Sequence, residues 1–247
     1  MKYAIIAAGE GSRLTQEGVE KPKPLVEICG ESLMHRLLRI FMAHEATDIY
    51  VICNGQVPQV EAFLNGVQCN GISGKPVPLR YKVKSTPSSM HSFYELAAWL
   101  DGDEPFVLTT VDTVFCEQEF ASYIAAFKEA TKAGRDGLMG VTSFVDDEKP
   151  LYVSVDVHQR ITAFLDAHPS SLIPQYVSAG IYGLTSKALQ TLSRCVERGE
   201  SRMRNFQRAL LRDGEDLQAW CFSKVLDVDH RDDIVKAEIF LQEAERQ

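Results

Sequence analysis

Short apolar runs alternate with longer stretches of helical period through the first half of this chain, and that rhythm leaves few folds open. Tyr3–Ala7 is a continuous apolar run, followed by a helical pattern over 32–44, a run at Asp48–Cys53 and a second helical pattern over 56–64. The alternation continues with Leu79–Val83, a helix over 91–100 and the run Phe106–Val111. Runs of this length without polar alternation suit strands of a parallel sheet covered on both faces. The second half is less regular. A helix over 117–132 precedes strands at 137–144, 151–157, 161–165 and 176–184, then helices over 186–198 and 203–212, a strand over 217–228 and a helix from Arg231 onward. The pattern predicts an α/β fold: a single Rossmann-like domain with a mixed, mainly parallel central sheet flanked by helices. With 247 residues the chain can bury its own core. The Gly- and Pro-rich stretch Gln68–Pro78 reads as a surface loop.

Composition excludes several classes of function. A net charge of −8 argues against nucleic acid as partner, because a duplex needs a concentrated basic face. No apolar run reaches the ~18 residues that cross a bilayer, and the N-terminus has no secretory pattern, so no membrane partner is expected and a cytoplasmic location is. Six cysteines without a Cys-x-x-Cys pair suggest reduced, structural thiols. A homo-oligomer is compatible with this composition.

In open α/β sheets ligands lie beyond the carboxyl ends of the strands, which directs attention to the loops after Ala7, Val83, Val111 and Leu226. The first reads Ala7-Ala8-Gly9-Glu10-Gly11-Ser12-Arg13-Leu14, with Lys21-Pro22-Lys23-Pro24-Leu25 soon after. Small residues at Ala7, Ala8, Gly9 and Gly11 let backbone N–H groups approach a base and phosphates, and Arg13 and Lys23 add positive charge. A dinucleotide fingerprint would need glycine at Leu14, and a Walker loop would need Gly-Lys-Ser/Thr. Neither spelling is present.

The paired segments Ala7-Ala8-Gly9-x-Gly11-x-Arg13-Leu14 and Pro22-Lys23-Pro24-Leu25 resemble the signature of the sugar-phosphate nucleotidyltransferases, also called nucleotide-sugar pyrophosphorylases. The resemblance implies a catalytic Arg13, Lys23 and Asp112, a nucleoside triphosphate and a small phosphorylated acceptor as partners, and Mg2+ as cofactor. It also implies a nucleotide-binding half over about 1–115 and an acceptor half over about 116–247, with no added domain after the last helix. Nucleotidyl transfer brings one phosphate anion up to another, so carboxylates holding a divalent cation are expected. Asp112 ends the buried run Phe106–Val111 and looks like the family's first metal ligand. Asp227 and Asp229 share one face of an extended segment, and the family pattern favours Asp227 with Asp229 as partner or substitute. Asp229 competes for a second job, as N-cap of the closing helix with Asp232 three residues on.

After the third strand, Ser85, Thr86, Ser88 and Ser89 resemble the family's base-reading loop, with Ser12 added from the glycine loop. Val177–Tyr182, with Gly180 inside it, resembles a strand beside the acceptor pocket. The family's Glu-Lys-Pro is replaced here by Asp166-Ala167-His168-Pro169, so its lysine is missing; His168, Arg202 or Arg204 is expected to supply that charge. Transfer to phosphocholine is the chemical alternative, and a silent nucleotide-sensing subunit the alternative of another class.

Overall fold

The computed structural model describes residues 1–168 and 175–246. The first half runs β1 (Lys2–Ala7), α1 (Ser12–Gln16), a 3-10 turn (Lys23–Leu25), β2 (Glu27–Ile28), β3 (Glu31–Ser32), α2 (Leu33–Ala43), β4 (Asp48–Cys53), α3 (Pro58–Asn70), β5 (Leu79–Val83), α4 (Ser89–Leu100) and β6 (Phe106–Thr110). Then come β7 (Thr113–Phe115), α5 (Glu117–Lys132), β8 (Gly137–Thr142), β9 (Tyr152–Val155), β10 (Ile161–Leu165), β11 (Tyr176–Leu184), α6 (Lys187–Glu197), α7 (Met203–Arg212), β12 (Leu217–Phe222), β13 (Val225–Asp227) and α8 (Arg231–Ala244).

Four strands form a parallel block in the order β5-β4-β1-β6. From β6 the sheet continues through antiparallel β11 to β8, and β12 runs parallel to β8. A β9–β10 hairpin joins at the start of β11, giving nine strands. The central strand β1 is buried at every position after Lys2, because its alternating side chains meet apolar layers on both faces. Tyr3 and Ile5 point to one layer with Phe41, Leu64, Phe120 and Phe240, and Tyr3 stacks on Phe41 at 4.4 Å between ring centres. Ala4 and Ile6 point to the other, with Phe93, Leu189 and Phe206. Each layer draws residues from both halves of the sequence. Because β4 and β6 flank β1 on opposite sides, the loops after β1 and β6 emerge together at a switch point of the sheet.

The short elements α1, β2, β3 and β7 were not among the expected ones, and two expected elements change most. The strand expected over 217–228 is two strands: Ser223 is captured by Glu119 of α5, which accepts from its N at 2.8 Å and its Oγ at 3.0 Å. The chain bends there, and β13 leaves the main sheet to pair antiparallel with β7. The second helix extends to Asn70, since Val60, Leu64 and Val67 keep one buried face and Gln68 donates to the Leu79 carbonyl at 2.9 Å. The expected loop 68–78 thus shrinks to a turn closed by the Ile72–Lys75 bridge. No helix of the described residues is long and apolar enough to cross a membrane.

At the edge opposite the switch point, Glu215 is only 4% exposed. Its Oε1 accepts from Thr191 Oγ1 at 2.8 Å, and its Oε2 is buried without a hydrogen-bond partner among the described residues. Burial, reinforced by Asp136 and Asp213, raises this carboxyl to about 7. Between its unfolded value near 4.5 and about 7 the folded chain therefore binds the extra proton, and stability falls as pH rises through that window. Replacing Glu215 by Gln removes the cost of ionisation; a gain on the order of 2 kcal/mol at pH 8 that fades by pH 5 is expected in urea unfolding. An equal gain at both pH values would contradict the assignment.

Candidate active site

The site is assembled where three segments leave the sheet. After β1 the chain turns at Gly11, whose φ of +62° favours glycine. A Cβ on Gly11 would lie 3.1 Å from the Cβ of Lys23, so the turn also leaves room for the lysine stem. Lys23 opens the 3-10 turn between Pro22 and the buried Pro24, and the Leu25 amide closes it on the Pro22 carbonyl at 2.7 Å. Two fixed φ angles hold the backbone that carries the ammonium.

The second segment follows β6. The Val111 amide prolongs the pairing with β1 by donating to the Ile6 carbonyl at 3.0 Å, which presents Asp112 at the strand's carboxyl end. The third is β13, whose register sets Asp227 opposite Thr113. The Val228 amide donates to the Asp112 carbonyl at 3.1 Å, so residues more than a hundred positions apart in sequence become neighbours. Gly180 supports this corner from beneath: its φ is +70°, and a Cβ there would meet Thr113 Oγ1 at 2.7 Å and Thr110 Oγ1 at 3.0 Å. Those hydroxyls bond to each other at 2.7 Å, and Thr113 donates to Asp227 Oδ1 at 3.4 Å.

Lys23 Nζ donates to Asp112 Oδ2 at 2.5 Å and also to Asp229 Oδ1. Arg13 donates from a terminal guanidinium nitrogen to the other oxygen of Asp229 at 3.0 Å. Burial acts against the charge on Lys23, but Asp112 and Asp229 outweigh it and hold the ammonium above its usual range. Burial likewise pushes Asp112 up, and Lys23 more than reverses this. Asp227 is the exception. Its side chain is open to the cleft, and desolvation together with the neighbouring Asp112 raises it above the usual carboxylate range.

Two clefts meet at this cluster. One, of about 450 Å³, is lined by Ala7, Ala8, Gly9, Gly11, Lys23, Thr86, Ser88, Ser89 and Asp112. The other, of about 580 Å³, is lined by Arg13, Phe144, Val177, Ser178, Asp227 and Asp229 among others. The Lys23–Asp229 contact joins their walls.

Several sequence candidates fall outside these walls. Ser12 is exposed at the start of α1 and lines neither cleft. Ser85 donates to Asn54 Oδ1 at 2.6 Å, an acceptor that also takes the Gln56 amide at 3.0 Å. Asn54 was not among the candidates; its signal was an Asn-Gly directly after a buried strand. Thr86 and Ser88 do line the first cleft, with their hydroxyls bonded to α4, at Ser92 Oγ at 2.6 Å and His91 Nδ1 at 2.9 Å. Arg204 is spent on Asp166 and the Lys149 carbonyl, at 2.6 and 3.0 Å. The Arg202 amide donates to Ser88 Oγ at 3.3 Å, on the side of the first cleft rather than the second. His168 packs edge-on against Tyr152, and Pro169 lies outside the described residues. The cations that do line the second cleft are Arg13, Arg231 and Lys236, with His230 beside them.

The N-cap expected at Asp229 is instead His230, whose amide donates to Asp233 Oδ2 at 2.8 Å in a capping box. The carboxylate of Asp229 is thereby left free for Lys23 and Arg13. Glu17, also absent from the candidates, accepts from His230 Nδ1 and from the Arg231 amide, both at 2.6 Å, and ties α1 to the start of α8.

A family model described as nucleotidyl transferase matches residues 2–244. The chain belongs to the nucleotidyl transferase family. The chain is 27% identical to the mannose-1-phosphate guanyltransferase of Hypocrea jecorina over 199 residues, 78% of this chain and 51% of the relative. A shorter match of 38% over 53 residues, 22% of this chain and 21% of the relative, links it to the glucose-1-phosphate cytidylyltransferase of Salmonella typhimurium. The chain thus spans about half the length of the guanyltransferase it matches, 51%. Among solved structures, the inositol-1-phosphate CTP transferase from T. maritima superposes with a TM-score of 0.73 at 17% identity, covering 97% of both chains. A putative glucose-1-phosphate thymidylyltransferase from Bacillus anthracis gives 0.79 at 21% identity, covering 97% of this chain and 94% of the other. At such identities the likeness is one of fold.

The two glycines of the loop should behave differently in this chain. Gly11→Ala meets both the positive φ and the Lys23 stem, and a loss of about 1–2 kcal/mol in urea unfolding is expected. Gly9→Ala has nothing within 4 Å of the added methyl and should unfold like the parent. Equal losses would remove the steric argument for Gly11.

Proposed function

We propose that this nucleotidyltransferase joins a nucleoside triphosphate to a sugar 1-phosphate, giving a nucleoside diphosphate sugar and pyrophosphate. The observation that carries the reading is the cluster of Arg13, Lys23, Asp112 and Asp227 at the junction of two clefts, one walled by the glycine loop and the other by the β11 segment. The relatives' names, each pairing a nucleotide with a phosphorylated polyol, support the same chemistry.

The residues fit a divalent cation. Asp227 stands beside Asp112, is raised by desolvation and by that neighbour, and makes no ion pair among the described residues. Magnesium is commonly held by one or two carboxylates and completed by substrate phosphates, and Asp112 and Asp227 are the pair that would supply them. Bound by Asp112 and Asp227, Mg2+ would offset the repulsion between the acceptor phosphate and the α-phosphate.

The chain's own groups account for the remaining steps. The glycine loop seats the triphosphate through backbone N–H groups, and Arg13 and Lys23 neutralise its oxygens. An acceptor phosphate oxygen forms the new bond to the α-phosphorus as the bond to pyrophosphate breaks on the opposite side. The acceptor is already ionised, so no general base is needed and catalysis rests on positioning and charge.

A second reading has its own observation. The larger cleft is lined by Glu17, Asp146, Asp147, Glu148, Asp227, Asp229, Asp232 and Asp233 against Arg13, Arg231 and Lys236, with the Phe144 ring among them. An acid excess beside an aromatic ring suits a cationic head group, so a phosphorylated amino alcohol such as phosphocholine is the alternative acceptor.

Pyrophosphate release decides between them, measured with each common triphosphate against glucose 1-phosphate, mannose 1-phosphate and phosphocholine. Release with a sugar phosphate, abolished by EDTA and by Asp227→Asn, is expected. Lys23→Ala should lower kcat/KM on the order of 100-fold. Release with phosphocholine alone would transfer the conclusion to the second reading, and release with none of them would end both.

A further inference from the structure

In the second cleft one carboxylate holds both cations assigned to the triphosphate. Asp229 Oδ1 accepts from Lys23 and Oδ2 from Arg13, while the Asp229 amide is held by Asp233 Oδ2 at 3.2 Å. Its side chain is 39% exposed, so it can swing into solvent, whereas Lys23 is 12% exposed and fixed between two prolines. Asp229 has no capping duty, because His230 and Asp233 close the end of α8. Asp229 contacts two cations, Arg13 and Lys23, Asp112 contacts Lys23 alone and Asp227 makes no ion pair among the described residues, so a divalent cation on Asp229 would meet the most positive charge of the three.

We propose that Asp229 is a positioning residue rather than a metal ligand: its carboxylate stands in for a phosphate on Lys23 and Arg13. The proposal rests on the reading that those two cations meet the triphosphate. A carboxylate presents two acceptor oxygens to Arg and Lys much as a phosphate does, so the two anions compete for the same donors. Entry of the triphosphate releases Asp229. After transfer, pyrophosphate is the anion left on these donors, and the return of Asp229 to Lys23 and Arg13 helps to displace it. Asp112 stays on Lys23 throughout and keeps the ammonium in place when Asp229 leaves.

The test uses metal-free protein and inorganic pyrophosphate as probe, followed by calorimetry in EDTA, with Mn2+ binding measured separately by electron paramagnetic resonance. Asp229→Asn should bind pyrophosphate roughly tenfold more tightly, the size of one charge-assisted contact no longer competed for, with Mn2+ affinity unchanged. In turnover the same variant should show a lower KM for triphosphate together with a lower kcat, a split that a merely structural role would not produce. Asp229→Glu, which keeps the competing charge, should stay near the parent, and Asp229→Ser replaces the amide variant if that unfolds. Weakened Mn2+ binding in Asp229→Asn would make Asp229 a metal ligand and overturn the proposal, as would unchanged or weaker pyrophosphate binding. Arg13→Ala separates the two levels. If it weakens pyrophosphate binding while Asp229→Asn fails to tighten it, only this inference falls; if Arg13→Ala has no effect, the phosphate site itself is misassigned.

Discussion

A single ammonium group joins three parts of the chain that the sheet alone would leave as separate loops. Lys23 comes from the turn after β1, Asp112 from the end of β6 and Asp229 from the approach to α8, and all three meet at Lys23 Nζ. Holding a charge in so enclosed a place is tolerable only because two carboxylates balance it; removing either partner would leave a buried charge poorly compensated. The same contact joins the walls of the two clefts, so the electrostatics of each is set partly by the other.

That arrangement explains why the two neighbouring aspartates behave in opposite ways. Asp112 shares Lys23 and is held in its charged form, whereas Asp227, opposite Thr113 in the β7–β13 pairing and so next to Asp112, makes no ion pair among the described residues. An unbalanced carboxylate beside a balanced one is a poor structural solution, which the proposed divalent cation would relieve. Around it, Thr110, Thr113 and Gly180 fill the corner so closely that a larger residue at Gly180 would displace the threonine pair and with it Asp227.

Much of the fold was legible because apolar runs such as Tyr3–Ala7 and Phe106–Thr110 are buried on both faces and have no other low-energy place to go. Breaks imposed from elsewhere were not legible. The run from Leu217 to Val228 reads as one strand, and its division depends on Glu119, a residue of α5 far away in sequence that captures Ser223. Within the site, the loop glycines and the acidic residues could be named from spelling and position. Their partners could not: Arg204 has the same local character as Arg13, but one is engaged by Asp166 and the other by Asp229.

By itself, the sequence determined the parallel core of the sheet, the glycine turn with its proline-braced lysine, and the set of carboxylates at strand ends, since each follows from local periodicity, φ restriction or residue chemistry. Only the tertiary structure decided which carboxylate met which cation, that β13 left the main sheet to bring Asp227 beside Asp112, and that His230 rather than Asp229 capped α8. Those outcomes depend on distances between residues remote in the chain, and a charge pair of a few ångströms has no counterpart in sequence spacing.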